Sequence, residues 1–169
     1  MLQEPPLALE DFSLSGDDGT QFHLADLRGK YILLTFGYTS CPDVCPTTLA
    51  MLRLTREKLE IGKGQMAVVF ISVDPERDTS EKVRNYATLF ADDFIGVTGH
   101  SDEIDQAVKQ FGATYRIDKG QVTLNTGYEV SHSAYVYVVD PEFRLRMAIP
   151  FGAQINEIVG DLQAILDPE

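Results

Sequence analysis

The chain has 169 residues, of which 44% are hydrophobic and 24% charged, so it has enough apolar material for the core of one globular domain. Its formal net charge of -12 argues against a nucleic-acid partner, because binding to a phosphate backbone needs clustered lysine and arginine. There is no apolar run of about 18 residues, and residues 1–6 have neither the basic start nor the apolar centre of a signal peptide.

The first third of the chain predicts a hairpin, a strand and a helix. A turn signal at residues 16–19, between two short apolar segments, predicts a small N-terminal hairpin. The continuous apolar run at residues 31–36 predicts a central strand that is buried on both faces. Pro46 suits the first position of a helix, and apolar residues at helical spacing continue that helix to Glu60.

A second buried strand is predicted at residues 67–73, and two further helices follow it. Asp78 and Glu81 have the spacing of a capping box that would open the first of these helices. A short apolar run at residues 94–97 separates it from the next. Each helix is indicated by an apolar stripe at positions i, i+3, i+4 and i+7, namely Val83, Tyr86, Ala87 and Phe90, then Ile104, Ala107, Val108 and Phe111.

The last third of the chain predicts an insertion, a pair of strands and a closing helix. Residues 117–130 are polar and rich in turn signals, as expected for an inserted hairpin or loop. Residues 134–139 predict a third central strand, and the alternation over residues 143–149 predicts its half-exposed antiparallel partner. Apolar residues at helical spacing over residues 155–165 predict the last helix.

This order of elements predicts an α/β protein with a thioredoxin-like fold. Strands that alternate with helices form parallel units, and the terminal strand pair adds an antiparallel edge. The predicted architecture is a central mixed sheet flanked by helices, with the N-terminal hairpin and the insertion near residues 117–130 as additions. We expect one thioredoxin-like domain over residues 1–169.

The chain contains two cysteines, Cys41 and Cys45, at the junction between the first central strand and the helix after it. Unsatisfied N–H groups and the helix dipole at a helix N-terminus favour thiolate over thiol. Thiolates serve both redox exchange and the binding of soft metals. A purely structural disulfide is the plainer interpretation, although it gives no reason for this placement.

Two sulfurs are too few for a complete metal site, so a third ligand has to come from elsewhere. Among the three histidines, His23 and His100 are most simply surface or core residues. His132 directly precedes the strand at residues 134–139, and in a thioredoxin-like fold the loop entering that strand lies beside the cysteine loop. Two thiolates and an imidazole suit Cu(I), with an oxygen or water to complete Cu(II), and no fourth ligand for structural zinc is evident.

Two aspartates are candidates to support these ligands. Asp43 lies between the cysteines and is a candidate to tune the site or add a weak oxygen ligand, although an acidic loop residue is more often solvated. Asp74 follows the second central strand, at the end of the sheet where ligands bind in open α/β folds. The plain interpretation of its segment is a turn followed by a helix cap.

Three ordered segments resemble the Sco/SenC family of copper-binding assembly proteins: residues 36–46 (FGYTSCPDVCP), residues 71–79 (ISVDPERDT), and His132-Ser133 before a strand that ends in Asp140-Pro141. The resemblance implies a thioredoxin-like fold with copper bound by Cys41, Cys45 and His132. It also implies a role in building the binuclear copper centre of cytochrome c oxidase, with the copper-site subunit of that enzyme, or another copper donor or acceptor protein, as the partner.

Members of this family are usually anchored to a membrane by an N-terminal helix or lipid. The resemblance therefore implies a periplasmic, membrane-anchored protein, with the mitochondrial intermembrane space as the alternative. The sequence departs from that pattern, since it carries no such helix or leader. We accordingly expect a native anchor or signal that is absent from these residues; a cytosolic protein is the other interpretation.

The leading hypothesis is a copper chaperone rather than an enzyme. Reduced Cys41 and Cys45 and neutral His132 would bind copper and pass it to a partner, with Cys45 as the buried anchor and Cys41 as the exchanging ligand. The alternative is a thiol–disulfide oxidoreductase that uses Cys41 and Cys45 as a redox pair on the cysteines of a copper-acceptor protein. A peroxidase of the peroxiredoxin type would need a threonine three residues before its cysteine, where this chain has Tyr38 or Pro42. An acidic interaction domain with inert cysteines would take up no metal.

Overall fold

The computed structural model describes residues 2–62, 64–123 and 127–166. In these ranges the strands are β1 (Leu2–Ala8), β2 (Ser13–Ser15), β3 (Gln21–His23), β4 (Tyr31–Gly37), β5 (Met66–Ser72), β6 (Ile95–Val97), β7 (Tyr115–Thr123), β8 (Gly127–His132), β9 (Tyr135–Val139) and β10 (Arg144–Pro150). The helices are α1 (Val44–Lys58), α2 (Ser80–Thr88), α3 (Ser101–Gln110) and α4 (Ile155–Leu166), with a 3-10 turn at Leu24–Leu27. None of the described helices has the length and apolarity needed to cross a bilayer.

A mixed six-stranded sheet forms the centre of the molecule, in the order β1-β10-β9-β4-β5-β6. Strands β4, β5 and β6 are parallel, whereas β9 runs antiparallel to β4 and β10 antiparallel to β9. Every residue of β5 and all but the first of β4 are buried, as expected for central strands covered on both faces. The predicted α/β thioredoxin-like fold, a mixed sheet flanked by helices, is confirmed.

Both predicted hairpins are present. Strands β2 and β3 form the N-terminal hairpin, in which Leu14 pairs with Phe22. Strands β7 and β8 form the inserted hairpin, which is longer than predicted because the pairing continues outward to Tyr115 and His132. Residues 124–126, between the two strands in the chain, fall outside the described residues. His132 is thus the last residue of a strand rather than part of a loop.

The capping box predicted for Asp78 and Glu81 is wrong. Helix α2 begins at Ser80, and its N-cap is Thr79, whose hydroxyl accepts a hydrogen bond from the backbone N–H of Lys82 at 3.2 Å. The Asp78 carboxylate is instead turned into the protein, where it accepts hydrogen bonds from other donors. The sequence pattern gives the right region for the helix start but misplaces it by one residue.

Strand β1 has no counterpart among the sequence predictions. It pairs with β10 at the edge of the sheet, and the register shifts between Leu2 and Leu7. Pro5 and Pro6 lie in this shifted part, and proline is tolerated in a sheet at edges and bulges because it has no N–H to donate to a ladder. Nearly all of the strand is exposed. Without a buried face, its sequence shows no apolar alternation from which a strand could be predicted.

The topology brings three chain segments to one end of the sheet. Strands β4 and β5 are parallel, so the loop after each leaves from the same edge. Strand β9 is antiparallel to β4, so its first residue lies at that edge too. The cysteine loop, the loop at residues 73–79 and the junction between β8 and β9 therefore meet there.

Candidate metal centre

The cysteine loop leaves β4 at Gly37, which is packed tightly against one of the sulfurs. A Cβ atom at Gly37 would lie 2.6 Å from Cys45 Sγ and 2.7 Å from the ring of Phe70, closer than real Cβ contacts allow. Only glycine leaves room here for the sulfur to sit against the backbone. The loop then runs to α1, which begins at Val44, so Cys45 lies in the first turn of the helix.

Cys41 and Cys45 are not joined in a disulfide, and they lie in different surroundings. Cys41 is in the loop and 9% exposed, whereas Cys45 is in the helix and 3% exposed. The backbone N–H of Cys45 points at Cys41 Sγ across 3.4 Å, so a donor at the helix N-terminus faces that sulfur. This agrees with the predicted difference between a buried and a more accessible cysteine.

The two thiols also differ in acidity. A hydrogen bond from the Cys45 thiol, supported by the backbone N–H groups of Cys45 and Asp43, outweighs burial and holds the pKa of Cys41 well below its ordinary value. Donation to Cys41, together with burial and the nearby negative charge, raises the pKa of Cys45. At neutral pH the metal-free pair is therefore one thiolate at Cys41 and one thiol at Cys45.

His132 presents a ring nitrogen to this pair. Its Nδ1 lies 3.2 Å from the carbonyl oxygen of Ser133, and because a carbonyl only accepts, we assign the proton of the neutral ring to Nδ1. The lone pair is then on Nε2, which lies 3.5 Å from Cys45 Sγ. The ring of Tyr38 packs edge-on against the imidazole, with 6.0 Å between centroids. The imidazole is thus oriented with its free nitrogen toward the sulfurs.

Among the described residues, Cys41, Cys45 and His132 form a group able to hold a metal ion, with ligand atoms all within 4.8 Å of one another. The donors are two sulfurs and one imidazole nitrogen, a soft set that suits Cu(I) and is unsuited to magnesium or calcium. A thioredoxin-like fold predicts that the chain entering β9 lies beside the cysteine loop, and the three side chains do come together there. His23, which lies 3.7 Å from Asp11, and His100, which precedes α3, are not part of the group.

Cys41 and His132 open onto a cavity of about 410 Å³ between the cysteine loop and the hairpin β7–β8. Cys45 does not line this cavity, so it lies behind Cys41 as seen from solvent. Asp43 is exposed at the cavity rim, and its carboxylate accepts a hydrogen bond from Thr47 Oγ1 at 3.2 Å. Its carboxylate is outside the group of three donors, and its backbone N–H is the part that acts on Cys41.

Asp74 is fully buried behind the site. Its carboxylate accepts hydrogen bonds of 2.5 Å from Arg77 Nε and from the hydroxyl of Tyr128. Burial and the bond to Asp74 raise the pKa of Tyr128 to about 12, so the hydroxyl remains a donor. The guanidinium of Arg77 lies 3.7 Å from the ring centroid of Tyr128 and 5.6 Å from that of Tyr38. Asp74 therefore reaches the imidazole only through other side chains.

Asp78 supports the cysteine loop, a role that the sequence pattern does not single out because it predicts Asp78 as a helix cap. Its carboxylate accepts hydrogen bonds from the backbone N–H and hydroxyl of Thr39, at 2.8 and 2.6 Å, and from the hydroxyl of Ser72 at 2.5 Å. Thr39 belongs to the cysteine loop, so Asp78 anchors that loop to the end of β5. The sequence does contain one signal for this role: a hydroxyl residue stands near the end of each of the two parallel strands, Thr39 after β4 and Ser72 as the last residue of β5.

Comparison with known proteins decides the family. The SCO1/SenC family model matches residues 2–167, which is nearly the whole chain. The chain belongs to the SCO1/SenC family. The match includes the cysteine loop and the hairpin β7–β8, so all three donors lie inside it.

Individual SCO1/SenC relatives agree with this assignment. Protein SCO1 homolog 1, mitochondrial, of Arabidopsis thaliana is 39% identical over 132 residues, covering 78% of this chain but 39% of its own length. The structure of Arabidopsis thaliana ScoI with copper bound is 33% identical, with a TM-score of 0.82 over 93% of this chain and 97% of that one. Apo Sco1 from Thermus thermophilus is 35% identical, with a TM-score of 0.84 over 98% of this chain and 95% of that one.

Proposed function

We propose that this SCO1/SenC protein binds one copper ion through Cys41, Cys45 and His132 and delivers it during assembly of the binuclear copper site of cytochrome c oxidase. The observation that carries the proposal is the set of two sulfurs and one lone-pair nitrogen within 4.8 Å. The copper-bound Arabidopsis relative, which has the same fold at a TM-score of 0.82, supports it.

The surroundings of the donors suit a copper ion that must later be released. Cys41 is a thiolate before metal arrives, whereas Cys45 has to give up a proton, so uptake releases protons and is stronger at higher pH. Cys41 lines the cavity, where a partner's ligand can reach it, and Cys45 lies behind as the retaining ligand. Transfer then proceeds by exchange of one ligand at a time.

Titration of the reduced protein with Cu(I) under anaerobic conditions tests this function. We expect one equivalent bound by the wild type, loss of binding when both cysteines are replaced by serine, and strongly weakened binding in His132→Ala. His100→Ala is the matched control, because that imidazole lies outside the group of donors. Undiminished stoichiometry after removal of both thiols would refute the proposal.

A second candidate function, thiol–disulfide exchange, is favoured by the difference in acidity between the two cysteines. The Cys41 thiolate attacks a disulfide of the acceptor protein, forming a mixed disulfide and releasing one acceptor thiolate. Cys45 then loses its proton and attacks Cys41 Sγ, which releases the second acceptor thiolate. The acceptor gains two electrons, and Cys41 and Cys45 end as a disulfide.

His132 separates the two functions. Its removal takes a nitrogen donor from the copper site but leaves both sulfurs of the exchange reaction. His132→Ala should therefore lose most copper affinity while retaining dithiol exchange, measured with an oxidised copper-acceptor domain. Equal loss of both activities would mean that neither simple scheme describes the site.

The proposed place of action is the periplasmic face of a membrane, where a copper-site subunit is accessible. A native N-terminal anchor would hold the protein there, as the family resemblance implies, with the mitochondrial intermembrane space as the alternative. Fractionation of the native cell, followed by a carbonate wash, tests this location. Recovery in the soluble cytosol would contradict it.

A further inference from the structure

The loop at residues 73–79, between β5 and α2, touches both halves of the candidate site, and we call it the bracket loop. On one side Asp78 holds the cysteine loop through Thr39. On the other side Asp74 and Arg77 hold the hairpin β7–β8 through Tyr128. The two contacts start from carboxylates four residues apart, so both are carried by the same short loop.

The contact with the hairpin is built on the strand that carries His132. Tyr128 and His132 are four positions apart on β8, and since side chains alternate along a strand, both project from the same face. Val130 lies between them on that face and is buried. The Tyr128 hydroxyl donates to Asp74, and Arg77 stacks on its ring. Fixing Tyr128 therefore fixes the direction in which His132 projects.

The hairpin needs such support because it is not part of the central sheet. Strands β7 and β8 form a separate two-stranded sheet, so no ladder hydrogen bonds hold them to β4 or β9. An isolated two-stranded hairpin is at best marginally stable in water. At its base, the Ser133 N–H donates to Thr114 O at 2.8 Å and extends the pairing of the hairpin with itself. The Tyr115 hydroxyl, which donates to Asp105 at 2.7 Å, ties this base to α3. Further along β8, Val130 is buried in the core and its backbone bonds to the Tyr38 hydroxyl, and Tyr128 fastens the strand to the bracket loop.

A second contact with the bracket loop contributes much less. Lys119 of β7 forms an ion pair with Glu76 of the bracket loop at 2.7 Å, and both side chains are about three-fifths exposed, at 59% and 60%. Exposed pairs of this kind are screened by water and salt. The buried Asp74 carboxylate, which has Tyr128 as one of its donors, is the stronger link.

We propose that the bracket loop sets the position of His132 against the cysteine pair, and that Tyr128 is the positioning residue of this arrangement. The inference rests on the proposed copper binding, which it deepens by assigning control of the imidazole to a residue that touches no donor atom. The two contacts of the loop are separable: the Asp78 contact governs the cysteines, and the Asp74 contact governs the histidine.

Tyr128→Phe tests the proposal, because it removes the hydroxyl that reaches Asp74 and keeps the ring on which Arg77 stacks. We expect Cu(I) affinity, measured by competition with a chelator, to fall about tenfold, as is typical when a partner that orients a metal ligand is lost. The thiolate-to-Cu(II) absorption band should shift toward that of His132→Ala. The midpoint potential of the Cys41–Cys45 couple should stay at the wild-type value.

A measurement without copper accompanies these. Amide hydrogen exchange along β8 in the metal-free protein should be faster in Tyr128→Phe than in the wild type. The matched control is Tyr31→Phe, which removes a hydroxyl that donates to Ile165 O at 3.3 Å. Tyr31 is the first residue of β4, so it lies at the opposite end of that strand from the cysteine loop. It should leave copper affinity, the absorption band and exchange along β8 unchanged.

Two outcomes would overturn the proposed role of the bracket loop. One is wild-type copper affinity in Tyr128→Phe with unchanged amide exchange along β8. The other is a parallel change in copper affinity and midpoint potential, which indicates general loosening rather than control of His132. Failure of the wild type to bind copper would refute the proposed function instead. In that case amide exchange along β8 would still test the role of the bracket loop: faster exchange in Tyr128→Phe would support it, and unchanged exchange would overturn it.

Discussion

Cys41 and Cys45 are four residues apart, yet the fold gives them different chemistry. The backbone N–H of Cys45 and the wall of the cavity surround Cys41, whereas Cys45 is packed against Gly37 beneath it. A motif of two cysteines indicates reactive sulfur in general. Which of the two sulfurs is the nucleophile depends on where each lies relative to the first turn of α1.

This difference predicts selective alkylation of the metal-free, reduced protein. A lowered pKa keeps the Cys41 thiolate present as the pH falls, so its reaction with iodoacetamide should hardly slow between about pH 8 and about pH 6, whereas an ordinary thiol slows about tenfold per unit. Peptide mass spectrometry after partial labelling measures the modification at each cysteine. Cys41→Ser provides the control, in which the remaining Cys45 should react slowly at either pH. Preferential labelling of Cys45 would contradict the assignment.

The predictable site residues are those whose type is rare in the chain. The two cysteines and one histidine next to a strand could be singled out because few residues offer such donors. Asp78 and Tyr128 could not, since an aspartate or tyrosine is informative only through its neighbours. Thr39 is 39 positions from Asp78, and Asp74 is 54 positions from Tyr128. No local pattern contains these pairings.

Among the secondary-structure elements, the start of α2 shows how a local rule can identify a helix and misassign its residues. Asp78 has the right type and spacing to cap the helix, but it accepts hydrogen bonds from three donors, on Thr39 of the cysteine loop and on Ser72 at the end of β5, and leaves the cap to Thr79. If Asp78 turned outward to cap the helix, the hydroxyls of Thr39 and Ser72 would lose their acceptor, and the folded state would be less stable.

Unfolding in urea distinguishes the two roles. Thr79→Ala should lower the free energy of unfolding by about 1 kcal/mol, the usual value of an N-cap. Asp78→Ala should lower it by more than about 2 kcal/mol, because it removes several hydrogen bonds and leaves buried donors unsatisfied. Asp78→Asn, which keeps an acceptor oxygen, should fall between these two. A loss of only about 1 kcal/mol in Asp78→Ala, with little change in Thr79→Ala, would restore the interpretation of Asp78 as the helix cap.

The elements that could be predicted are those with at least one buried face. Strands β4 and β5 appear as continuous apolar runs, and α3 as a clear stripe, because burial imposes a period on the sequence. Strand β1 imposes none, since it is exposed along nearly its whole length and contains two prolines. Strand β1 forms because it hydrogen-bonds to β10, which lies far away in the chain, so the residues of β1 alone do not predict a strand.

For the molecule as a whole, copper binding should be coupled to stability. A ligand that binds the folded state alone stabilises it by about 2.7 kcal/mol when its free concentration is a hundred times Kd. For a chain of this size, that corresponds to a rise in Tm of about 5 to 10 °C. Binding of copper to thiols of the unfolded chain would reduce the gain.

Anaerobic calorimetry with and without Cu(I) measures this shift. His132→Ala should show a smaller rise at the same copper concentration, since two sulfurs remain in the folded and unfolded states alike. His100→Ala is the control and should match the wild type. An unchanged Tm in wild-type protein that has been shown to hold copper would mean that the unfolded chain binds it equally well.

The donors are spread unevenly along the chain, with 4 positions between the two sulfurs and 87 between Cys45 and His132. A nascent or damaged chain can bring its sulfurs together without any tertiary structure, but the imidazole arrives only when β8 has docked. Full affinity is therefore a property of correctly folded molecules alone. If the protein delivers copper as proposed, this site would discriminate against misfolded copies, which would lose their copper to a competing chelator before they reached an acceptor.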